Sequence, residues 1–459
     1  MTLIPPDPVL APIGTAANCG ARPCSRTGRE KHLTCEDVAA ENRGHDPDHR
    51  ADRDWIHAPC RPGGDEVTDG LVPVLWLCGP AGVGKSTVSW QLFKELSQAG
   101  AHVAFADTDQ LCMCYPAPPE DPDRERLKAL NIGAMIPPYQ AAGAKCVILG
   151  GVLDPVLGVR RDLLPDADVT VVRLRADREE VVHRFVERNE QREDLDELLQ
   201  EVRDEADGMD GSAFADACIE TTGVPAVKVT DLVRHSCPDW PGFSGTIRQQ
   251  GASAENAYPN AYPEVTDADG HILLICGPTG VGKSTIAFRL YMQYLNADLT
   301  AGYVDLDQIG FVSPAPQNDP GSHQLKARNL AAMWRNYHAA GATHLIAAGP
   351  VESNAGLQTY IDALPAATIT LCRLHAGPDE LTRRVMSRGD GGSWPQPGDP
   401  LRGQSAGYLR AVADQAISAD GAFEREHVGT VRIDTSGHTP DESAALIAAA
   451  TGWPNRAGS

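Results

Sequence analysis

The chain has 459 residues, with 62 acidic against 40 basic side chains and a formal net charge of −22. That length suits two or three domains with sizeable cores, and so acidic a surface argues against a general binder of nucleic acid or of anionic membranes. No apolar run approaches the ~20 residues of a membrane span, and the start, MTLIPPDPVLAPIG, lacks the basic-then-apolar order of a secretory signal; the expected compartment is the cytoplasm.

Residues 1–70 are dominated by Pro, Gly, Arg and Asp, and no apolar periodicity persists. Such a segment has no face to bury, so a disordered tail is expected, with at most a short helix around Cys35–Asn42. Cys19, Cys24, Cys35 and Cys60 stand among His32, His45, His49 and His57, but at irregular spacings and without a C-x₂-C pair. Zinc there is an unfavoured alternative. Cys78, Cys146, Cys218, Cys276 and Cys372 lie in apolar runs and read as small, buried, reduced residues.

The first module runs over 71–235 and opens on an apolar strand leading into GPAGVGKST, that is Gly79, Pro80, Ala81, Gly82, Val83, Gly84, Lys85, Ser86 and Thr87. A link over 236–270, rich in Pro, Gly, Asn and Tyr, precedes a second module over 271–455. That module opens the same way, into GPTGVGKST: Gly277, Pro278, Thr279, Gly280, Val281, Gly282, Lys283, Ser284 and Thr285. Both fit G-x-x-x-x-G-K-[ST] without a mismatch. Glycines let backbone N–H groups wrap a phosphate, and the following helix points its positive end at the same group. Lys85 and Lys283 are placed for the β- and γ-phosphates, Ser86 and Ser284 for a magnesium ion. The implied cofactors are ATP and Mg²⁺.

Sliding the chain against itself exposes a repeat with an offset of 198: Gly79/Gly277, Asp107/Asp305, Lys128/Lys326, Tyr139/Tyr337 and Gly151/Gly349. In the second copy, strands are expected at Ile272–Cys276, Tyr303–Val304, Leu345–Ala348, Ile369–Leu374 and Val431–Ile433, alternating with helices. Near-continuous apolar strands predict parallel sheets covered on both faces. Ile286, Leu290 and Tyr294 mark the buried face of the helix after the second loop, as do Val88, Leu92 and Leu96 after the first. Thr439-Pro440-Asp441-Glu442 reads as a capping box. The fold class is α/β: two tandem P-loop NTPase domains, each a doubly wound, mainly parallel sheet.

The second strand of each copy ends in ADTDQL or VDLDQI. Ligands bind off the carboxyl ends of such strands, and period-two geometry aims Asp107 and Asp109 to one side if the strand stays regular. One carboxylate can hold magnesium or its water shell, and the other can accept a proton from a substrate hydroxyl.

A phosphate loop, D-x-D-Q after the second strand, Gly150-Gly151 (Ala348-Gly349 in the second copy) and R-x-x-x-R together resemble the P-loop small-molecule kinases, relatives of shikimate kinase, gluconate kinase and chloramphenicol phosphotransferase, with a wider likeness to AAA-family ATP-binding proteins. The resemblance implies sheet order 2-3-1-4-5 and transfer of the ATP γ-phosphate to a hydroxyl. It places Asp109 and Asp307 toward the acceptor and Asp107 and Asp305 toward the metal. Two departures stand out. The substrate-binding basic residues of shikimate kinase have no counterpart, and Ala348 replaces a glycine, so the acceptor of the second copy is expected to differ.

Arg184 and Arg188 match Arg384 and Arg388, one helical turn apart. An arginine fork there could neutralise a transferring phosphoryl group, and Arg188 and Arg388 are the candidates, ahead of Arg192 and Arg402. The acidic stretch Asn189–Asp207 would repel ATP if it closed over it, so it is expected to face solvent. Lys128 and Lys326 either reach an acceptor or decorate a helix, and Glu220-Thr221 and Asp434-Thr435 read as backbone turns. The favoured function is an ATP-dependent kinase with Lys85, Lys283, Asp109, Asp307, Arg188 and Arg388 in catalytic roles and an unidentified small molecule as acceptor. A nucleotide-dependent switch or ATPase, or one catalytic and one regulatory copy, are the alternatives.

Overall fold

The apolar runs before the two glycine-rich loops form the central strands of two six-stranded sheets. The computed structural model describes residues 71–189, 195–244, 268–295, 299–319, 321–391 and 399–453. The expected tail over 1–70, with its Cys/His set, and Arg192 lie outside the described residues.

The first half comprises β1 (Val72–Cys78), α1 (Lys85–Gln98), β2 (Val103–Asp107), β3 (Cys114–Tyr115), α2 (Glu125–Ala141), β4 (Cys146–Gly150), β5 (Ala167–Arg175), α3 (Arg178–Asn189), α4 (Leu195–Asp210), β6 (Ala217–Glu220), α5 (Ala226–Ser236) and α6 (Pro241–Ser244). The second comprises β7 (Gly270–Cys276), α7 (Lys283–Leu295), β8 (Ala301–Asp305), β9 (Phe311–Ser313), α8 (His323–Ala339) and β10 (His344–Ala348). It continues through α9 (Asn354–Ala363), β11 (Ala367–His375), α10 (Pro378–Gly389), α11 (Ala406–Arg425), β12 (Val431–Asp434) and α12 (Pro440–Thr451). The strands expected for this half fall inside β7, β8, β10, β11 and β12.

In the first half the parallel order is β6-β5-β1-β4-β2, which is the 2-3-1-4-5 arrangement read from the other edge. The second half repeats it as β12-β11-β7-β10-β8. β1 and β7 are apolar and buried almost throughout because helices cover both faces. Val88, Leu92 and Leu96 on α1, and Ile286, Leu290 and Tyr294 on α7, are buried as their spacing predicts. Thr439 and Glu442 form the capping box at α12, with Pro440 in the first turn.

The expected link begins too early at residue 236. Cys237 and Trp240 are buried in the first half's core, and Trp240 packs edge-on against Phe243 of α6 at 4.8 Å between ring centroids. Ala268 is buried on the other side, where its carbonyl accepts from Trp334 Nε1 at 3.1 Å. The apolar residues inside a Pro/Gly-rich run were what mattered.

The halves also exchange edge strands. β9 of the second half pairs antiparallel with β2, setting Phe105 opposite Phe311, and β3 of the first half pairs antiparallel with β8, setting Tyr115 opposite Ala301. Each exchanged strand covers backbone groups that an exposed edge would leave open. Phe311 stands 4.9 Å from Trp90 and 5.7 Å from Phe105 between ring centroids, while Met113 and Tyr115 pack into the second half's core. Helices α2 and α8 meet beneath them: Asn336 Nδ2 donates to Asn131 Oδ1 at 2.8 Å, and the Tyr337 hydroxyl donates to the Leu111 carbonyl at 3.1 Å. One buried cluster therefore runs from Trp76 and Tyr139 to Trp334 and Tyr360.

Because Phe311 joins both halves, Phe311→Ala is expected to lower stability by about 2–3 kcal/mol, below the full cost of truncating a wholly buried Phe. Urea unfolding of the intact chain measures this. A change under about 0.5 kcal/mol would show that the exchanged strand contributes little.

Candidate functional site

β1 delivers Cys78 to the top of its sheet, and the chain then turns through Gly79 at φ 144°. A Cβ at Gly79 would stand 2.3 Å from the Leu174 carbonyl oxygen, and one at Gly277 would stand 2.5 Å from that of Leu374. Only glycine lets the loop leave the strand so close to its neighbour. The lysines fold back over their own loops: Lys85 Nζ donates to the Pro80 carbonyl at 3.0 Å, and Lys283 Nζ to those of Gly277 and Pro278 at 3.0 and 3.1 Å. Burial lowers the pKa of Lys283. Both ammonium groups thus sit where loop carbonyls hold them until a stronger acceptor arrives.

β2 ends at Asp107, and residues 108–110 form a 3₁₀ turn, so period-two alternation does not carry on to Asp109. The reason is local. Asp107 Oδ1 accepts from the Asp109 amide at 3.1 Å, and Asp305 Oδ1 accepts from that of Asp307 at 3.0 Å, turning each chain off its strand. The other oxygen of Asp107 accepts from Ser86 Oγ at 2.8 Å. Burial, reinforced by the charge of Asp109, pushes the Asp107 carboxyl up to about 7. This hydroxyl–carboxylate pair beside the phosphate loop offers the hard oxygens that Mg²⁺ takes.

The second aspartates have different partners. Asp109 Oδ1 accepts from the Val152 amide at 3.0 Å, whereas Asp307 Oδ1 accepts from Lys326 Nζ at 2.9 Å. Burial would raise the Asp307 carboxyl, but Lys326, Lys283 and Arg388 outweigh it and hold it below the usual range. Lys128, by contrast, pairs with Glu125 at 2.5 Å and donates to the Val152 carbonyl. The Ala348 substitution has a packing reason. A Cβ on Gly150 would stand 2.4 Å from Ser89 Oγ, and the residue matching Ser89 in the second half is Ala287.

Arg184 and Arg384 tie loop to sheet. Arg384 donates to the carbonyls of Val281 and Thr435 at 2.9 and 2.8 Å and to Glu380 at 2.7 Å; Arg184 reaches Val83, Thr221 and Glu180 in the same way. Arg388 donates to Asp399 at 2.8 Å. Arg188 lies in α3, with its side chain outside the described set, and Arg402 is exposed. Glu220 and Asp434 accept from the amides of Thr222 and Ser436, making backbone turns.

The acidic helix exposes Asp196, Glu201, Asp204 and Asp207 as expected, but it turns Glu205 inward. α4 packs on α3 through Leu199 and Val202, and Glu205 Oε2 accepts from the Ala81 amide of the first phosphate loop at 3.0 Å. The apolar positions of α4, spaced to meet α3, override the like-charge argument. In the second half a cavity of about 670 Å³ runs from the Gly280–Thr285 loop past Asp307, Gln308 and Lys326 to Arg384 and Arg388. Glu205 is one of many acidic residues along its helix, and Asp399 lies in a Gly/Pro-rich run, so neither carries a sequence signal of its own.

Residues 74–207 match the family model described as AAA domain. This part of the chain is therefore an AAA-type P-loop domain, carried on the first of two α/β sheets of the same strand order. Among curated proteins, the chain is similar to the uncharacterized protein YggR of Escherichia coli (strain K12), 28% identical over 189 residues, 39% of this chain and 53% of that protein. The chain thus spans about half the length of this curated relative. Among solved structures it is similar to the tunicamycin resistance protein of Deinococcus radiodurans (20% identity, 40% of this chain and 96% of that one, TM-score 0.28). It is also similar to a gluconokinase from Sinorhizobium meliloti 1021 (14%, 40% and 94%, 0.27) and a shikimate kinase from Bacteroides thetaiotaomicron (14%, 40% and 98%, 0.27).

The raised Asp107 carboxyl has a thermodynamic consequence. Between the ordinary carboxylate value and about 7, the folded chain holds a proton that the unfolded chain has released, so stability falls as pH rises through that window. In metal-free protein, Asp107→Asn is expected to gain about 1–2 kcal/mol above neutral pH and to lose that gain toward pH ~4. Thermal unfolding at several pH values checks it, and a pH-independent difference refutes the assignment.

Proposed function

We propose that the chain is an ATP-dependent kinase that transfers the γ-phosphate to a hydroxyl of a small molecule, with both halves built as P-loop domains and the second carrying the transfer site. The observation behind this is the cavity in the second half. It joins the phosphate loop to Asp307 and Lys326 at one end and to Arg384 and Arg388 at the other, a volume within the range of small-ligand sites.

The loop amides and Lys283 bind and orient the phosphates, and Arg388, partly held by Asp399, is near enough to follow charge as it develops. Ser284 and Asp305 are the residues that would hold magnesium, as Ser86 and Asp107 would in the first half. The ion when bound neutralises phosphate charge. Asp307 accepts the proton of the attacking hydroxyl, and Lys326 keeps that carboxylate ionised and aimed. Gln308 Oε1 is enclosed in the cavity wall with no partner among the described residues, an acceptor that a hydroxyl-bearing ligand satisfies.

Incubation with γ-labelled ATP and fractionated metabolites, followed by identification of labelled products, tests the reading. Release of free phosphate without transfer would favour the ATPase alternative. Asp307→Asn should lower transfer by about 10²–10⁴-fold while changing ATP affinity little. A decrease of only a few-fold refutes the base role. Lys326→Met should move the acid limb of the pH–rate profile upward, because the cation that lowers the Asp307 carboxyl is gone.

A further inference from the structure

The two phosphate loops match almost residue for residue, yet their surroundings differ. In the first, Glu205 Oε2 accepts from the Ala81 amide at 3.0 Å, and Glu205 Oε1 is enclosed with no hydrogen-bond partner among the described residues. Val202 and Leu199, packed on Val181 and Phe185, hold α4 in that position. Burial raises the Glu205 carboxyl while the charge of Lys85 opposes that shift. A carboxylate thus takes up a loop amide, beside the lysine, where a phosphate oxygen would compete for it. Thr279, which matches Ala81 in the second loop, is exposed to solvent, and its neighbours Gly280–Thr285 line the open cavity.

The first loop also has a physical route to that cavity. α1 starts at Lys85 and carries Trp90 and Phe93, whose rings lie 4.9 and 6.3 Å from Phe311. Phe311 in turn lines the second half's cavity. Its strand, β9, is hydrogen-bonded to β2, which ends at Asp107.

We infer that the first phosphate loop is an effector site for a nucleoside triphosphate, closed in the ligand-free chain by Glu205, and that its occupancy is transmitted to the second half's cavity through Phe311. The ligand must displace Glu205, so its apparent affinity is reduced by the fraction of chains in which the latch is closed. This inference deepens the proposed function and rests on it for the role of the second half.

The test reads binding alone. In full-length Lys283→Met protein, where the second loop is disabled, calorimetric titration with ATP–magnesium reports on the first. Adding Glu205→Ala is expected to tighten binding about tenfold, and the size-conserving Glu205→Gln should give a smaller gain in the same direction. Unchanged or weaker binding in both refutes the latch. Hydrogen exchange of the Lys283→Met protein on adding ATP should change at residues 311–313; a response confined to 72–150 overturns the transmission. Failure of phosphate transfer to any metabolite would leave these outcomes intact, whereas absence of ATP binding at either loop would overturn both readings.

Discussion

The hydrogen bonds between β2 and β9, and their counterparts between β3 and β8, constrain everything else in this molecule. Each half builds a five-stranded parallel sheet whose outermost member carries the site's carboxylates on its end. Such an edge is exposed to mispairing unless something covers it. Here the cover comes from the other half, at Val103–Phe105 and Ala301–Gly302, while Asp107 and Asp305 stay in register with β4 and β10 of their own halves. The junction of α2 and α8, with Asn131, Asn336 and Tyr337 in hydrogen-bond contact, leaves little room for the halves to slide.

Electrostatics then separates what topology makes alike. The first half surrounds its loop with carboxylates: Asp107, Asp109 and Glu205, with Lys128 already paired to Glu125. The second sets Lys326 on Asp307 and turns Arg384 and Arg388 toward the cavity. Equal backbone cradles thus present different local charge, and an anion entering one or the other meets a different reception.

Much of the architecture was legible in the sequence because its signals are dense. Apolar strands, two glycine-rich loops and repeated helix faces point to two mainly parallel sheets, and the strand order follows from the resemblance to P-loop small-molecule kinases. Exchanged strands were invisible, since two or three residues such as Cys114–Tyr115 or Phe311–Ser313 carry no measurable periodicity and their partners lie far along the chain. The inward turn of Glu205 was hidden for another reason. The apolar stripe through Leu199 and Val202 decides where the helix sits, and Glu205 follows from that packing. Trp240 was hidden likewise by the Pro/Gly-rich composition around it. Local composition was a poor guide wherever one or two large side chains set the packing.

The joining of both halves in one polypeptide has a consequence for how such a molecule can vary. Two identical subunits trading edge strands would share every substitution, so a carboxylate blocking one loop would block its twin. A single chain lifts that symmetry: Glu205 can stand over Ala81 while Thr279 stays open. The shared interface then demands that Phe311 fit Trp90, that Tyr115 fit the opposite core and that α2 and α8 keep their junction. Outside those contacts, the two ends of the sheets are free to diverge in chemistry without either half losing its partner.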